Sequence, residues 1–192
     1  METSETSFDP QAGDLRGGTV NLRNGGVRDV YADTVTISRG GARTVSADSV
    51  TVKLAGVQEV EAQSVVVKQG GAARVTAEQA EIAVAAIGLV QGETVRVGPS
   101  CQMIGVVANK AAIEESMSAV VVARDHAHLD QSGVAVLVSN RVEMNDSVVL
   151  IAVADTVQGG AQVQVKPPVA AIFGAAFGAA LGAVLLLGRR GK

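Results

Sequence analysis

The chain has 192 residues, of which 47% are hydrophobic but only 2% aromatic, and its formal net charge is −3. A slightly acidic chain without basic patches among aromatic residues lacks the features of nucleic-acid-binding proteins, so we expect no nucleic-acid partner. The single cysteine, Cys101, excludes an internal disulfide and a cysteine-based metal site, and we expect it to be a small buried residue.

The opening segment, METSETSFDPQAGD, is polar and acidic and contains no apolar run. Such a composition predicts neither a signal peptide nor a folded element. We therefore predict a disordered N-terminal tail over residues 1–16.

From residue 17 onwards one pattern returns every fifteen residues, as in VTISRGGARTVSADS, VTVKLAGVQEVEAQS and VVVKQGGAARVTAEQ. Apolar residues alternate within each row, which is the period of strands with one buried face. Such a unit buries its inward face only when it is stacked on copies of itself. Two columns of equivalent positions are apolar throughout: Leu22, Ile37, Val52, Val67 and Ile82, and Val30, Val45, Val60, Val75 and Val90.

These patterns predict an all-β fold, a single-stranded parallel β-solenoid over residues 17–158. Fifteen-residue coils give about nine coils and a rod of roughly 40 to 45 Å. The glycine pairs, such as Gly40-Gly41 and Gly70-Gly71, are expected to supply positive φ at the turns. A register break is expected within residues 98–110, around Pro99.

The C-terminal part predicts a membrane anchor. After a linker over residues 159–168, the run from Val169 to Gly188 contains no charged residue and is followed by a basic tail, residues 189–192. About twenty apolar residues suffice for one transmembrane helix. Its small residues Gly174, Gly178 and Gly182 are spaced to line one helix face and favour helix packing. The alternative is a helix buried in a soluble assembly.

The same features give an expected topology. Because no signal peptide precedes the solenoid, we expect it to lie in the cytoplasm, with the last helix as a single-pass tail anchor. The basic tail, with Arg189, Arg190 and Lys192 against Lys166, favours the opposite orientation by the positive-inside rule. The missing signal is given more weight, since translocation of the whole solenoid would require one.

Residues 18–157, as a short repetitive all-β core with disordered flanks and a membrane attachment, resemble the bactofilins. The resemblance implies a bacterial cytoskeletal protein whose right-handed β-helical core polymerises end to end. This chain differs from that family in its slightly shorter coils and in the C-terminal position of its membrane segment.

Two groups of side chains are candidates for cation binding. In RDHAHLD, His126 and His128 are two residues apart on a strand and share its outward face, and Glu143 is expected beside His128 in the next coil. Two imidazoles and a carboxylate suit zinc, but exposed histidine pairs are commonly just solvated, so we assign no metal and no cofactor. The acidic column Asp33, Asp48, Glu78 and Glu93 is interpreted as a solvated edge rather than a calcium site.

The last three coils carry more apolar residues than an inward face needs. Strict alternation predicts that one apolar set points inward: Val121, Ala123, Val136, Val138, Ile151 and Val153. It leaves a second set pointing outward: Val120, Val122, Ala135, Leu137, Leu150 and Ala152. An outward apolar patch predicts self-association, and the alternative is that the linker or the N-terminal tail covers it.

No pattern of catalytic residues is present, and short coils leave no loops from which to build a cleft, so we expect neither catalysis nor a small-molecule substrate. The sequence therefore predicts a non-enzymatic, membrane-anchored structural protein that forms a homo-oligomer or polymer, end to end or laterally. The alternative is a surface-displayed binding module that presents its columns to a cation, a glycan or a protein.

Overall fold

A computed structural model describes residues 14–163. The chain forms four long strands, β1 (Leu15–Val97), β2 (Gln102–Glu114), β3 (Met117–Asp130) and β4 (Gly133–Val163). They lie in one sheet in the order β1-β2-β3-β4, and every pairing is parallel. The pairing between the end of β1, β2, β3 and β4 describes four successive turns. The predicted all-β fold, a parallel β-solenoid, is confirmed.

The register changes at two places, each of which adds one residue to a coil. Ala86 pairs with Gln102, sixteen residues later, because residues 98–101 interrupt the strand, and Gly98 N donates a hydrogen bond to Ile82 O at 2.7 Å. This is the break predicted around Pro99. The second lies between Ala123 and His126 in β3.

The corners of the coil contain left-handed residues that are not glycines. Positive φ recurs at steps of fifteen or sixteen residues, at Asn24, Arg39, Leu54, Gln69, Val84, Ser100, Glu115, Gln131 and Asp146. The prediction that the glycine pairs supply this conformation is wrong for Gly25-Gly26, Gly40-Gly41 and Gly70-Gly71, because the residue before each of these pairs adopts it. Glycine is needed for close approach instead: a Cβ at Gly40 or Gly70 would collide with the carbonyl oxygen of Gly25 or Ala55, fifteen residues earlier.

The predicted inward columns are buried. Val45, Val60 and Val75 have no exposed surface, and Cys101 is 2% exposed. Each coil also contains two buried residues three positions apart, with two outward residues between them, as in Ala42 with Val45 and Val134 with Leu137. The strand therefore bends within each coil, and strict alternation does not continue through the bend.

This bend corrects the predicted orientations in the last coils. Leu137 is fully buried rather than outward, and Ala152 packs against the core. Conversely, Val138 and Val153 are each 37% exposed, and Val136 and Ile151 are only partly buried. Because residues 135 and 136 both face outward at the bend, Leu137 and Val138 have the opposite orientations from those predicted, and the same holds for Ala152 and Val153 one coil later.

Several predicted segments lie outside the described residues: most of the tail 1–16, the end of the linker, the helix 169–188 with Gly174, Gly178 and Gly182, and the basic tail 189–192. In the described part, β1 begins at Leu15 and β4 continues to Val163, past the predicted boundaries of the solenoid. Within residues 14–163, no helix has the length and apolar character needed to cross a membrane.

Candidate functional site

The most extensive unusual surface is an outward apolar area on the last coils, here called the apolar face. Its most exposed members are Ile104 (70%), Met117 (68%), Val148 (49%) and Leu150 (48%). The other members lie in the column of Ile104 and Leu150 or in two further columns that follow it along the strands: Val107, Ala119, Val120, Val122, Ala135, Val136, Val138, Ile151 and Val153. Four of the six predicted patch residues belong to it; Leu137 and Ala152 do not.

Strand pairing arranges the apolar face in columns. Val107 pairs with Gln91 of the preceding coil, and Val122 and Val138 follow in the same column. Gly105, Val120 and Val136 form the neighbouring column. An open groove of about 630 Å³ crosses the face, lined largely by apolar side chains that include Met117, Ala135 and Leu150. Such a face is suited to packing against another apolar surface.

The equivalent surface of the first coils is polar. Arg28 forms ion pairs with Asp14 at 3.3 Å and with Asp29 at 3.5 Å, and Arg74 pairs with Glu59 at 3.7 Å. The column that later carries Val120 and Val136 contains, fifteen or thirty residues apart, Asp14, Asp29, Glu59 and Arg74, and the neighbouring column of Ala119 contains Arg28. The apolar character is therefore confined to the C-terminal coils.

A second candidate site lies in the C-terminal part of β3, after the irregularity between Ala123 and His126. His126 and His128 alternate with buried Ala127 and Leu129, which turns both imidazoles outward. His128 pairs with Glu143 of β4, and the carboxylate oxygen Oε2 lies 3.6 Å from His126 Nε2 and 3.6 Å from His128 Nδ1. The structure thus brings all three candidate residues together around one oxygen atom.

Within the described residues, this cluster is the group of side chains that could hold a metal ion. One ligand atom from each of its three residues lies within 4.8 Å of the other two. The acidic column Asp33, Asp48, Glu78 and Glu93 is exposed and forms no such group within residues 14–163. Stacking at one residue per coil holds these carboxylates side by side without converging them on a single point.

A buried column of hydroxyl groups, which the sequence analysis did not identify, follows the corners of the last coils. Ser132 N donates to Ser147 Oγ at 3.1 Å, Ser116 N to Ser132 Oγ at 3.3 Å, and Cys101 N to Ser116 Oγ at 3.0 Å. Each serine hydroxyl also donates to a backbone carbonyl, such as Ser116 Oγ to Gly98 O at 2.7 Å. The column joins neighbouring coils and satisfies buried backbone groups, so its role is structural.

Comparison with protein-family models, with curated proteins and with solved structures finds no match for this chain. The resemblance to bactofilins therefore stays a prediction that rests on architecture.

Proposed function

We propose that the protein is a non-enzymatic, membrane-anchored structural protein whose β-solenoid self-assembles, and that two copies pair laterally through the apolar face. The observation that carries this proposal is the face itself, in which Ile104, Met117 and Leu150 of adjacent coils are about half exposed or more. Leu54 and Val84 of the first coils are also exposed, but they stand two coils apart with Gln69 between them. The predicted helix 169–188 supplies the anchor in this proposal.

The proposed rod has about nine coils. The nine non-glycine residues with positive φ support this number, because they recur from Asn24 to Asp146 at the coil spacing. End-to-end polymerisation, which the resemblance to bactofilins implies, is a second mode of assembly compatible with such a rod.

The size of the apolar face argues for a weak interface. Strands about 4.8 Å apart and about 3.3 Å per residue give it roughly 400 Å² per protomer, about half of what each partner contributes to a standard stable interface. Lateral pairing is therefore expected to depend on the anchor, because tethering to one membrane raises the effective concentration of the second copy.

A second copy is the occupant that fits this face. The columns carry no charged residue across several strands, so two copies can pack their apolar faces together as two sheets do. The face also ends in β4, directly before the segment that contains the predicted anchor, so copies held in one membrane would carry their apolar faces at the same height.

The test is to place charges on the face of the full-length chain reconstituted into vesicles. Val138→Lys with Leu150→Lys is expected to abolish chemical cross-linking between copies, because burying two lysines in an apolar interface is unfavourable. The control, Gln58→Lys with Thr76→Lys, adds the same charges to the equivalent columns in the first coils and should leave cross-linking unchanged.

Cross-linking that survives in the Val138 and Leu150 variant would contradict lateral pairing through this face and favour end-to-end assembly, with the face covered by the linker or the N-terminal tail. The alternative function, a surface-displayed binding module, is supported by the exposed charged columns and the histidine cluster. Electron microscopy of the reconstituted chain distinguishes a scaffold from a binding module, since arrays or filaments support the first and isolated rods support the second. Protease protection tests the proposed cytoplasmic orientation.

A further inference from the structure

We propose that His126, His128 and Glu143 bind one Zn²⁺ ion, with the fourth coordination position open to solvent. The sequence alone gave no reason to prefer this over a solvated histidine pair. The convergence of both imidazoles on one carboxylate oxygen supplies that reason.

The distances between the ligand atoms of the three residues are close to those in a tetrahedral zinc site. Zinc lies about 2.0 to 2.2 Å from nitrogen and oxygen ligands, so two ligand atoms of a tetrahedron are roughly 3.4 Å apart. Glu143 Oε2 lies 3.6 Å from a nitrogen of each histidine, and all three atoms lie within 4.8 Å of one another. Small side-chain rotations are enough to close the site.

A bulge in β3 that takes up one extra residue keeps both histidines in this register. Residues before the irregularity, such as Ala123, pair sixteen positions ahead, with Ser139, whereas His126 pairs fifteen ahead, with Arg141. If regular pairing carried the extra residue onward instead of bulging it out at 124–125, the segment would shift by one position and both imidazoles would point into the core. The site is therefore built on paired backbone rather than on a flexible loop.

The electrostatic surroundings limit the affinity. Lys110 and Arg141 pair on either side of His126, and their positive charges oppose a bound cation. Both side chains are exposed and extend into solvent, which screens that repulsion. The side chains of His126 (31% exposed), His128 (42%) and Glu143 (43%) remain accessible to an entering ion. We expect weaker binding than at a four-ligand structural site, with water in the open position.

A bound ion would connect two neighbouring coils, since the histidines belong to β3 and the glutamate to β4. Binding to the folded state alone raises stability, so zinc should also raise the thermal unfolding midpoint.

The experiment is titration of the purified full-length chain in detergent with Zn²⁺, read by calorimetry and by thermal unfolding, in a Cys101→Ser background that removes the only thiol. One ion per chain is expected. The variants His126→Gln, His128→Gln and Glu143→Gln each remove one of the three protein ligands of the zinc ion. Each should therefore lower the affinity for zinc by about tenfold or more and remove the shift in the thermal unfolding midpoint. Glu61→Gln, an exposed carboxylate on a distant coil, should change neither.

Cobalt(II) provides an independent readout, because its visible spectrum distinguishes tetrahedral from octahedral coordination. Absence of uptake at one equivalent, or equal uptake by the three ligand variants and the parent chain, would overturn the proposal and indicate adventitious surface binding only. These measurements do not depend on assembly, so a negative result leaves lateral pairing untouched, and loss of pairing leaves the zinc site untouched.

Discussion

The first and last coils share one backbone period but stabilise it with different chemistry. In the first coils the residue after each left-handed corner is glycine or alanine, and at Gly40 and Gly70 a side chain would collide with the preceding coil. In the last coils the equivalent position holds Cys101, Ser116, Ser132 or Ser147, and the serine hydroxyls accept hydrogen bonds from the backbone of the preceding coil. A corner can thus be closed by glycine or alanine, or by serine, whose hydroxyl bonds to the backbone.

The outward surfaces differ in the same way. The columns that carry Arg28, Glu59 and Arg74 in the first coils carry Ala119, Val136 and Leu150 in the last. Since both regions have the same inward packing, this contrast is not required by the fold. It divides the rod into a solvated part and a part suited to contact.

The largest expected effect tests which side chains of the last coils point inward. Leu137→Ala should lower the free energy of unfolding by about 2 to 5 kcal/mol, because a fully buried side chain is lost and a cavity remains. Val138→Ala, one residue later on the exposed face, should cost less than about 1 kcal/mol. Urea unfolding of both variants measures the difference. Equal losses would contradict the bend that separates the two orientations.

A somewhat smaller effect tests the steric corners of the first coils. Gly70→Ala should destabilise the protein by about 2 to 3 kcal/mol, because the new methyl group meets the carbonyl oxygen of Ala55. Gly56→Ala is the matched control, since nothing lies within 4 Å of the added Cβ there. It should be neutral or slightly stabilising, because alanine restricts the unfolded chain. Equal decreases in the unfolding midpoints of the two variants would contradict the idea that close approach of neighbouring coils requires glycine at position 70.

The smallest effect tests the polar corners of the last coils. Ser132→Ala should cost about 1 to 3 kcal/mol, since Ser116 N loses its acceptor and a buried carbonyl loses its donor. Ser118→Ala is the control: its buried hydroxyl has no hydrogen-bond partner among the described residues. Removing it should leave stability unchanged or raise it by less than about 1 kcal/mol. Thermal unfolding compares the two, and loss of stability in both would indicate packing rather than hydrogen bonding.

The sequence was sufficient for the period, the inward columns and the first register break, because constant spacing of valine and isoleucine is visible without coordinates. It was not sufficient for the orientation of Leu137. The stretch VAVLVSN is apolar at every position from Val134 to Val138, so nothing in it marks where the strand bends.

The two sites show the same limit. Alternation with Ala127 and Leu129 predicts that both histidines face outward, but their convergence on Glu143 depends on side-chain rotamers and on the bulge in β3. The buried serines could not be recognised, because the chain also has serines at outward positions such as Ser46 and Ser64. Only the hydrogen-bond geometry separates the two kinds.

The constant register has a consequence for how the chain folds. Each strand pairing from the end of β1 to β4 joins residues fifteen or sixteen apart, so the loop that must close for each new turn stays equally short however many turns are already present. Folding rates fall as the mean sequence separation of contacts grows. This rod can therefore lengthen during synthesis by adding one turn at a time to a completed stack, without waiting for its distant C terminus.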